Sequence, residues 1–370
     1  MGRIFFYYLT VPDPVGGLKQ ARLMAAQLAA LGRAAYLLRD RPPAPGEVDD
    51  NAYYGIDVPP APFPAAEAGR HLRPDDVVLF PEVRLEEALA AARDWRCRKG
   101  VNNQNGFYAL AERPWPGYRR RGVEFVLVNA PYNAALTRTY LGVPAGRIFL
   151  VPHLIVRGPF APDPPPGPRR LAVCYMPRKR ADHVARIRAA VSRAHPDVPW
   201  VEIDKVAESE VARRFGDNAL FLSTQQREGC PLPALEAMAR GCVVAGYAGT
   251  ERFPHPYATA ANGFWADDGD VTGAVAAVGR ALALCRAGGP PLDRVRAAGR
   301  DTAAGFTEAA VRRALGPVLD YLDGRASGSG LRVPRLGLRG HLDALRILRL
   351  AGRLHLRVAL RDRVRRAVGL

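Results

Sequence analysis

Cysteine, lysine, aromatic residues and long apolar runs are all scarce in this sequence, and each shortage narrows what the chain can be. The five cysteines (Cys97, Cys174, Cys230, Cys242, Cys285) are odd in number and contain no Cys-x-x-Cys pair. This argues against a disulfide framework and fits a reduced cytosolic compartment, with the thiols serving as small apolar residues. The seven histidines show no metal-ligand spacing. Aromatic residues make up only 8% of the chain and no nucleic-acid motif is recognisable, so base-stacking platforms are not evident. No apolar run approaches the length of a membrane span. The segment from Met1 to Leu9 is too short, and too soon followed by Pro12 and Pro14, to read as a signal peptide. Phe6 breaks the myristoylation pattern.

Positive charge is in excess. A chain of 370 residues, long enough for two domains, carries a formal net charge of +17 with an ordinary 48% apolar content. Such a charge implies an anionic partner. It is concentrated at the end, where residues 331–370 hold eleven arginines against Asp343 and Asp362.

The stretch that organises the chain runs from Glu228 to Tyr247. Glu228-Gly229-Cys230-Pro231-Leu232 reads as a loop, and Pro233 stands where a first helical residue should. Gly241 stands where a left-handed cap should, and Cys242 to Tyr247 reads as a strand buried on both faces. The loop therefore lies at a helix N-terminus, whose free N–H groups and partial positive charge suit a phosphate. Glu236, read as falling in the first turn, and Glu228 bring two carboxylates to that site. They suit the hydroxyls of a sugar and a ribose.

Two glutamates in an E-x7-E spacing, followed by a small-residue helix and Gly241-Cys242-Val243-Val244, resemble the signature of the retaining glycosyltransferases of family 4. The resemblance covers about residues 1–323 and is strongest over 219–251. It implies the GT-B fold: an α/β protein with two doubly wound Rossmann-like domains facing across a cleft, here with a basic C-terminal extension. It also implies sugar transfer from a nucleotide diphosphate sugar with retention of configuration, and no bound metal or other cofactor.

Ile4 to Leu9, the loop through Gly16 and Gly17, and a helix from about Leu18 to Leu31 make a first βα unit. Gly16-Gly17 resembles the Gly-Gly loop that opens the N-terminal domain in that family; a plain tight turn is the other reading. Four amides, Asn102 to Asn105, end the strand that starts at Lys99. Asn103 and Asn105 suit acceptor hydroxyls or, equally, local Asx-type bonding. Many relatives carry a histidine in this region near the transferred sugar. Here none occurs between His71 and His153. Residues 158–168 are proline-rich and read as a stiff linker. Arg178, Lys179 and Arg180 follow the first strand of the second domain, where the family holds the donor diphosphate. Lys179 and Arg178 are the best candidates for that role, with Arg180 a close substitute, because the family's Arg-to-Lys spacing is not reproduced. Gly249 and Thr250 add loop amides at the same edge. Asp268-Gly269-Asp270 matches a metal-binding Asp-x-Asp but immediately precedes a helix, so it reads as a cap.

The expected organisation is thus an acceptor domain over 1–157, the linker 158–168, a nucleotide-sugar donor domain over 169–323, and a Gly/Ser linker with a basic amphipathic tail over 324–370. Expected partners are a nucleotide sugar and a cell-surface glycan or lipid-linked saccharide, with no nucleic acid. The tail of 331–370 fits an anionic membrane surface, which would place the protein on the cytoplasmic face, or a cationic appendage packed on the body or disordered. Catalysis is expected from Glu228, Lys179 and Arg178, with Glu236, Gly229, Cys230, Pro231, Leu232, Arg180, Gly249 and Thr250 binding the donor. The rival readings are a GT-B-like protein that binds nucleotide or glycan without turnover, and a nucleic-acid-binding protein on charge alone.

Overall fold

The computed structural model describes residues 2–10, 15–42, 55–110, 115–161, 169–178, 180–225, 228–249, 257–337, 340–342 and 344–345. Lys179, Thr250, most of the proline-rich linker and the end of the basic tail lie outside these residues.

Two parallel sheets organise the chain. The first contains β1 (Ile4–Tyr8), β2 (Ala35–Arg39), β3 (Val77–Pro81), β4 (Arg98–Asn103), β5 (Val123–Val128) and β6 (Ile148–Leu150), in the order β2-β1-β3-β4-β5-β6. The second contains β7 (Arg170–Tyr175), β8 (Trp200–Glu202), β9 (Asn218–Thr224), β10 (Val243–Tyr247) and β11 (Gly263–Ala266), in the order β11-β10-β9-β7-β8. Every pairing is parallel. The all-buried patterns of Ile4–Tyr8, Asn218–Thr224 and Val243–Tyr247 follow, because helices cover both faces of such sheets.

The helices that bear on the site are α1 (Gly16–Ala30), α2 (Gly106–Ala109), α3 (Pro131–Leu141), α4 (Ala181–Ala194), α5 (Glu208–Asp217), α6 (Leu232–Ala239), α7 (Val271–Ala287), α8 (Gly289–Ala303) and α9 (Glu308–Leu322). Strand order reverses between β1 and β3 in one sheet and between β7 and β9 in the other. At such switch points an open α/β sheet leaves a crevice at the carboxyl ends of its strands.

The chain forms two compact units, residues 1–152 with 311–370 and residues 153–310. The second unit thus ends before the expected 323, and α9 crosses back into the first from Val311 onward. Its side chains explain why. The Tyr321 ring packs 5.3 Å from Phe149 and 5.7 Å from Phe125. Arg98 Nη1 donates to the Leu322 carbonyl at 2.7 Å, Arg312 Nε donates to Gln27 Oε1 at 2.6 Å, and Arg33 pairs with Asp323.

The segment after α9, expected as a flexible linker, lies against the first unit. Ser329 Oγ donates to the Ala145 carbonyl at 3.0 Å and Val333 joins the core around Phe5, Phe80 and Trp95. The described start of the basic tail is packed as well: Leu336 and Ala344 are buried, and the Tyr140 hydroxyl lies 2.8 Å from His341 Nδ1. Among the described residues no helix is long and apolar enough to cross a membrane.

Candidate active site

Glu228, Gly229, Cys230, Pro231 and Leu232 stand at the carboxyl edge of the second sheet, between β9 and the start of α6. Pro231 caps α6 and contributes no side-chain hydrogen bond, so the first helical N–H groups are left to whatever lies in front of them. The helix begins at Leu232, which places Glu236 in its second turn rather than the first. Glu236 is nonetheless buried, at 5% exposure, whereas Glu228 is half-buried.

Glycine geometry builds the opposite wall. The Glu228 N–H donates to the Gly249 carbonyl at 3.0 Å. Gly249 has φ +93°, and a Cβ there would stand 3.2 Å from the Glu228 carbonyl oxygen. Gly246, at φ +120°, approaches β9 so closely that a Cβ would lie 2.2 Å from the Ser223 carbonyl oxygen. Beneath them Tyr257 is wholly buried and its hydroxyl donates to the Ala248 carbonyl. Burial pushes the Cys230 thiol up to about 12, so it stays protonated and serves packing rather than chemistry.

The cation loop after β7 divides its labour. Arg178 is exposed at the sheet edge. Arg180 is not available in the same way. Its Nη1 lies 3.2 Å from Asp268 Oδ1, its Nη2 lies 2.9 Å from His183 Nε2, and its guanidinium sits 5.7 Å over the Tyr247 ring. His183 Nδ1 in turn lies 2.7 Å from the Tyr247 hydroxyl. Burial first, and Arg180 next, lower the His183 pKa and favour the neutral imidazole. Arg180 therefore braces α4 against the end of β10. The Asp-x-Asp segment is committed too: Asp268 pairs with Arg180, and Asp270 caps α7 by accepting from the Gly273 N–H at 2.8 Å.

In the first unit, Gly16 and Gly17 are the first two residues of α1, not the loop before it, and Val15 is the cap. The expected amide pair turns inward. Asn103 is wholly buried and donates to Thr137 Oγ1 at 2.9 Å, and Asn105 caps α2 by accepting from the Phe107 N–H at 3.0 Å. Gln104, between them, reaches across the edge. Its Nε2 donates to the Gly17 carbonyl at 2.8 Å, while its own carbonyl accepts from Asn129 at 2.7 Å and Asn133 at 3.1 Å.

Sequence reasoning passed over the group at the centre of this edge. Glu82 follows β3 at the switch point and is buried, and its Oε1 accepts from the Asn105 N–H at 3.0 Å. Burial raises its carboxyl to about 7, against the pull of the backbone N–H groups at Glu82, Gln104 and Asn105. The only signal in the sequence is a glutamate directly after a strand-ending proline. Val83, next to Glu82 in the chain, and Tyr108 on α2, 53% exposed, are both apolar and open to solvent.

No family model matches the chain. An alpha-1,6-glucosyltransferase of Actinobacillus pleuropneumoniae is 26% identical over 207 residues, covering 53% of this chain and 60% of that protein. The chain thus spans about three fifths of the length of the curated relative it matches. Among solved structures, a glycosyltransferase from Rickettsia africae superposes with a TM-score of 0.64 at 11% identity, over 88% of this chain and 99% of that one. The pneumococcal O-GlcNAc transferase GtfA, in complex with UDP and GlcNAc, gives 0.61 at 10% identity, over 87% and 99%. At these identities the likeness shows the fold, two Rossmann-like α/β domains of the GT-B kind.

Proposed function

We propose that the chain is a glycosyltransferase that moves a sugar from a nucleotide diphosphate sugar to a saccharide-bearing acceptor, a cell-surface glycan or a lipid-linked saccharide. The observation that carries this reading is that the exposed Arg178 after β7, the half-buried Glu228 after β9 and the start of α6, which has no side-chain cap and carries Glu236 in its second turn, stand at the carboxyl edge of two neighbouring strands. Arg178, with Lys179 beside it in the chain, and the α6 N-terminus stabilise the charge that develops on the leaving diphosphate. Glu236 holds the ribose hydroxyls and Glu228 the transferred sugar. Gly229 and Gly249 keep the backbone low enough for close approach. At the other sheet, Gly16, Gly17 and Gln104 receive the acceptor, with Tyr108 as an apolar face for a sugar ring.

The E-x7-E resemblance supports retention of configuration. The engagement of Asp268 and Asp270 in structural contacts supports chemistry without a metal at that segment. The glucosyltransferase relative supports a hexose donor. The arginine-rich tail supports a position on the cytoplasmic membrane face.

A donor screen tests the proposal. Purified protein is incubated with UDP-, GDP- and dTDP-sugars, and nucleotide release is followed with and without EDTA for the wild type and Glu236→Ala. Release from one donor that survives EDTA and is lost in the variant is the expected result. Activity that vanishes in EDTA contradicts the metal-free mechanism. Saturable binding of a nucleotide sugar without turnover, even with saccharide acceptors supplied, favours the non-catalytic reading, which the absence of a histidine between His71 and His153 supports.

A further inference from the structure

The amino edge of the second sheet, opposite the edge described above, gathers four arginines. Arg169 directly precedes β7, Arg240 ends α6, and Arg296 and Arg300 lie on α8. They converge on Gly241 and Cys242, the link between α6 and β10. Measured from the point where a Cβ on Gly241 would stand, Arg169 Nη2 is 3.0 Å away and Arg300 Nη1 is 3.4 Å away. Arg240 and Arg296 both act electrostatically on Arg169 and on Cys242.

Part of this cluster is explained by the fold. Arg169 Nη1 donates to the Phe215 carbonyl at 2.8 Å and to the Asn218 carbonyl at 3.1 Å, and its Nη2 donates to the Arg240 carbonyl. These carbonyls belong to the ends of α5 and α6, where the helix dipole favours a cation. Arg240 is engaged too, its Nη1 donating to the Ala161 carbonyl at 2.9 Å. Among the described residues the guanidinium groups of Arg296 and Arg300 have no such role. Among the described residues no ion pair joins any of the four arginines to a carboxylate. The Nε atoms of Arg240 and Arg296 are buried without a hydrogen-bond partner. Burial first, and then the neighbouring arginines, lower the pKa of the Arg169 guanidinium. Like charges held this close are unfavourable unless an anion joins them.

We propose that Arg169, Arg240, Arg296 and Arg300 form a binding site for a small phosphate-type oxyanion at the amino edge of the second sheet. A tetrahedral oxyanion matches the chemistry on offer. It has acceptor oxygens for several N–H donors at once, and guanidinium forks are suited to it in shape and charge. The site is separate from the donor edge and does not depend on the glycosyltransferase reading. The two are linked by α6, whose N-terminus opens at the donor edge and whose C-terminal cap, Arg240, belongs to the cluster.

The test is thermal unfolding in inorganic phosphate against chloride at equal ionic strength. It compares the wild type, Arg178→Ala at the donor edge, and the double variant Arg296→Ala/Arg300→Ala. A ligand that binds only the folded state raises the midpoint according to its affinity. Phosphate is expected to stabilise the wild type and to go on stabilising Arg178→Ala, in which the four-arginine cluster is intact. In the double variant its apparent affinity should fall about a hundredfold, about tenfold per arginine removed. Arg300 is exposed, so Arg300→Ala alone keeps the fold and should fall about tenfold if the double variant proves unstable. A wild type indifferent to phosphate overturns the proposal. So does a response undiminished in the arginine variants or lost in Arg178→Ala.

Discussion

The carboxyl edges of the two sheets are built on opposite principles. In the first unit the edge is knitted shut by side chains. Asn103, Gln104, Asn105, Asn129 and Asn133 bond to one another, to Thr137 and to backbone, around a buried Glu82. In the second unit the edge is shaped by backbone. Gly246 and Gly249 take conformations closed to other residues, and the helix N-terminus is left without a side-chain cap. The first arrangement fixes the direction of its hydrogen-bonding groups, and the second leaves backbone N–H groups open at a helix start. Under the proposed function the first edge is the acceptor side and the second the diphosphate side.

The largest effect is expected at Gly246. A Cβ there meets the backbone of Ser223 at 2.2 Å in a left-handed conformation, so Gly246→Ala should cost about 3 kcal/mol or more. Gly100→Ala in the first unit puts a Cβ 2.6 Å from a Phe125 ring atom, which can shift, and should cost about 1–3 kcal/mol. Urea titration of the two variants checks the ranking. A Gly246→Ala protein no less stable than Gly100→Ala would remove the backbone argument.

Glu82 provides a pH dependence peculiar to the first edge. The unfolded chain releases this proton near 4.5, whereas the folded protein holds it up to about 7. Its contribution is therefore complete below 4.5 and is lost as the pH rises through about 7. The difference amounts to about 3 kcal/mol. Glu82→Gln cannot ionise, so relative to the wild type it should gain that amount between pH 4.5 and 7. Denaturant unfolding of both proteins across that range measures it, and a constant difference would show that Glu82 ionises freely.

A smaller and local effect is expected at Gly249. A Cβ pressed to 3.2 Å from the Glu228 carbonyl, at φ +93°, introduces strain of about 1–3 kcal/mol into the donor loop. Calorimetric titration of Gly249→Ala with UDP should show binding weakened about tenfold, a factor worth 1.4 kcal/mol. Unchanged binding would place the nucleotide elsewhere. The smallest effect belongs to Asp270→Ala, which removes only a helix cap and should cost about 1 kcal/mol in thermal stability while leaving nucleotide binding intact.

Much of the second edge was legible in the sequence, and little of the first. Pro233, Gly241 and the apolar run to Tyr247 announce loop, helix and strand because their signals are local: a missing N–H, a missing Cβ and continuous burial. Asp270 was readable as a cap for the same reason. Glu82 and Gln104 were not. Their meaning depends on partners 23 and 87 positions away, at Asn105 and Gly17. The inward turn of Asn103 and the engagement of Arg180 by Asp268 are likewise invisible without the fold.

Local sequence was enough for two parallel α/β units and for the loop, helix and strand between Glu228 and Tyr247. These rest on periodicity and on glycine and proline, which act within a few residues. Only the folded chain shows which polar side chains face outward, that α9 returns to the first unit, and that Arg169 and Arg300 from separate segments both reach Gly241. Those outcomes depend on packing between distant segments, where a side chain's burial and charge environment are set by neighbours the local sequence does not contain.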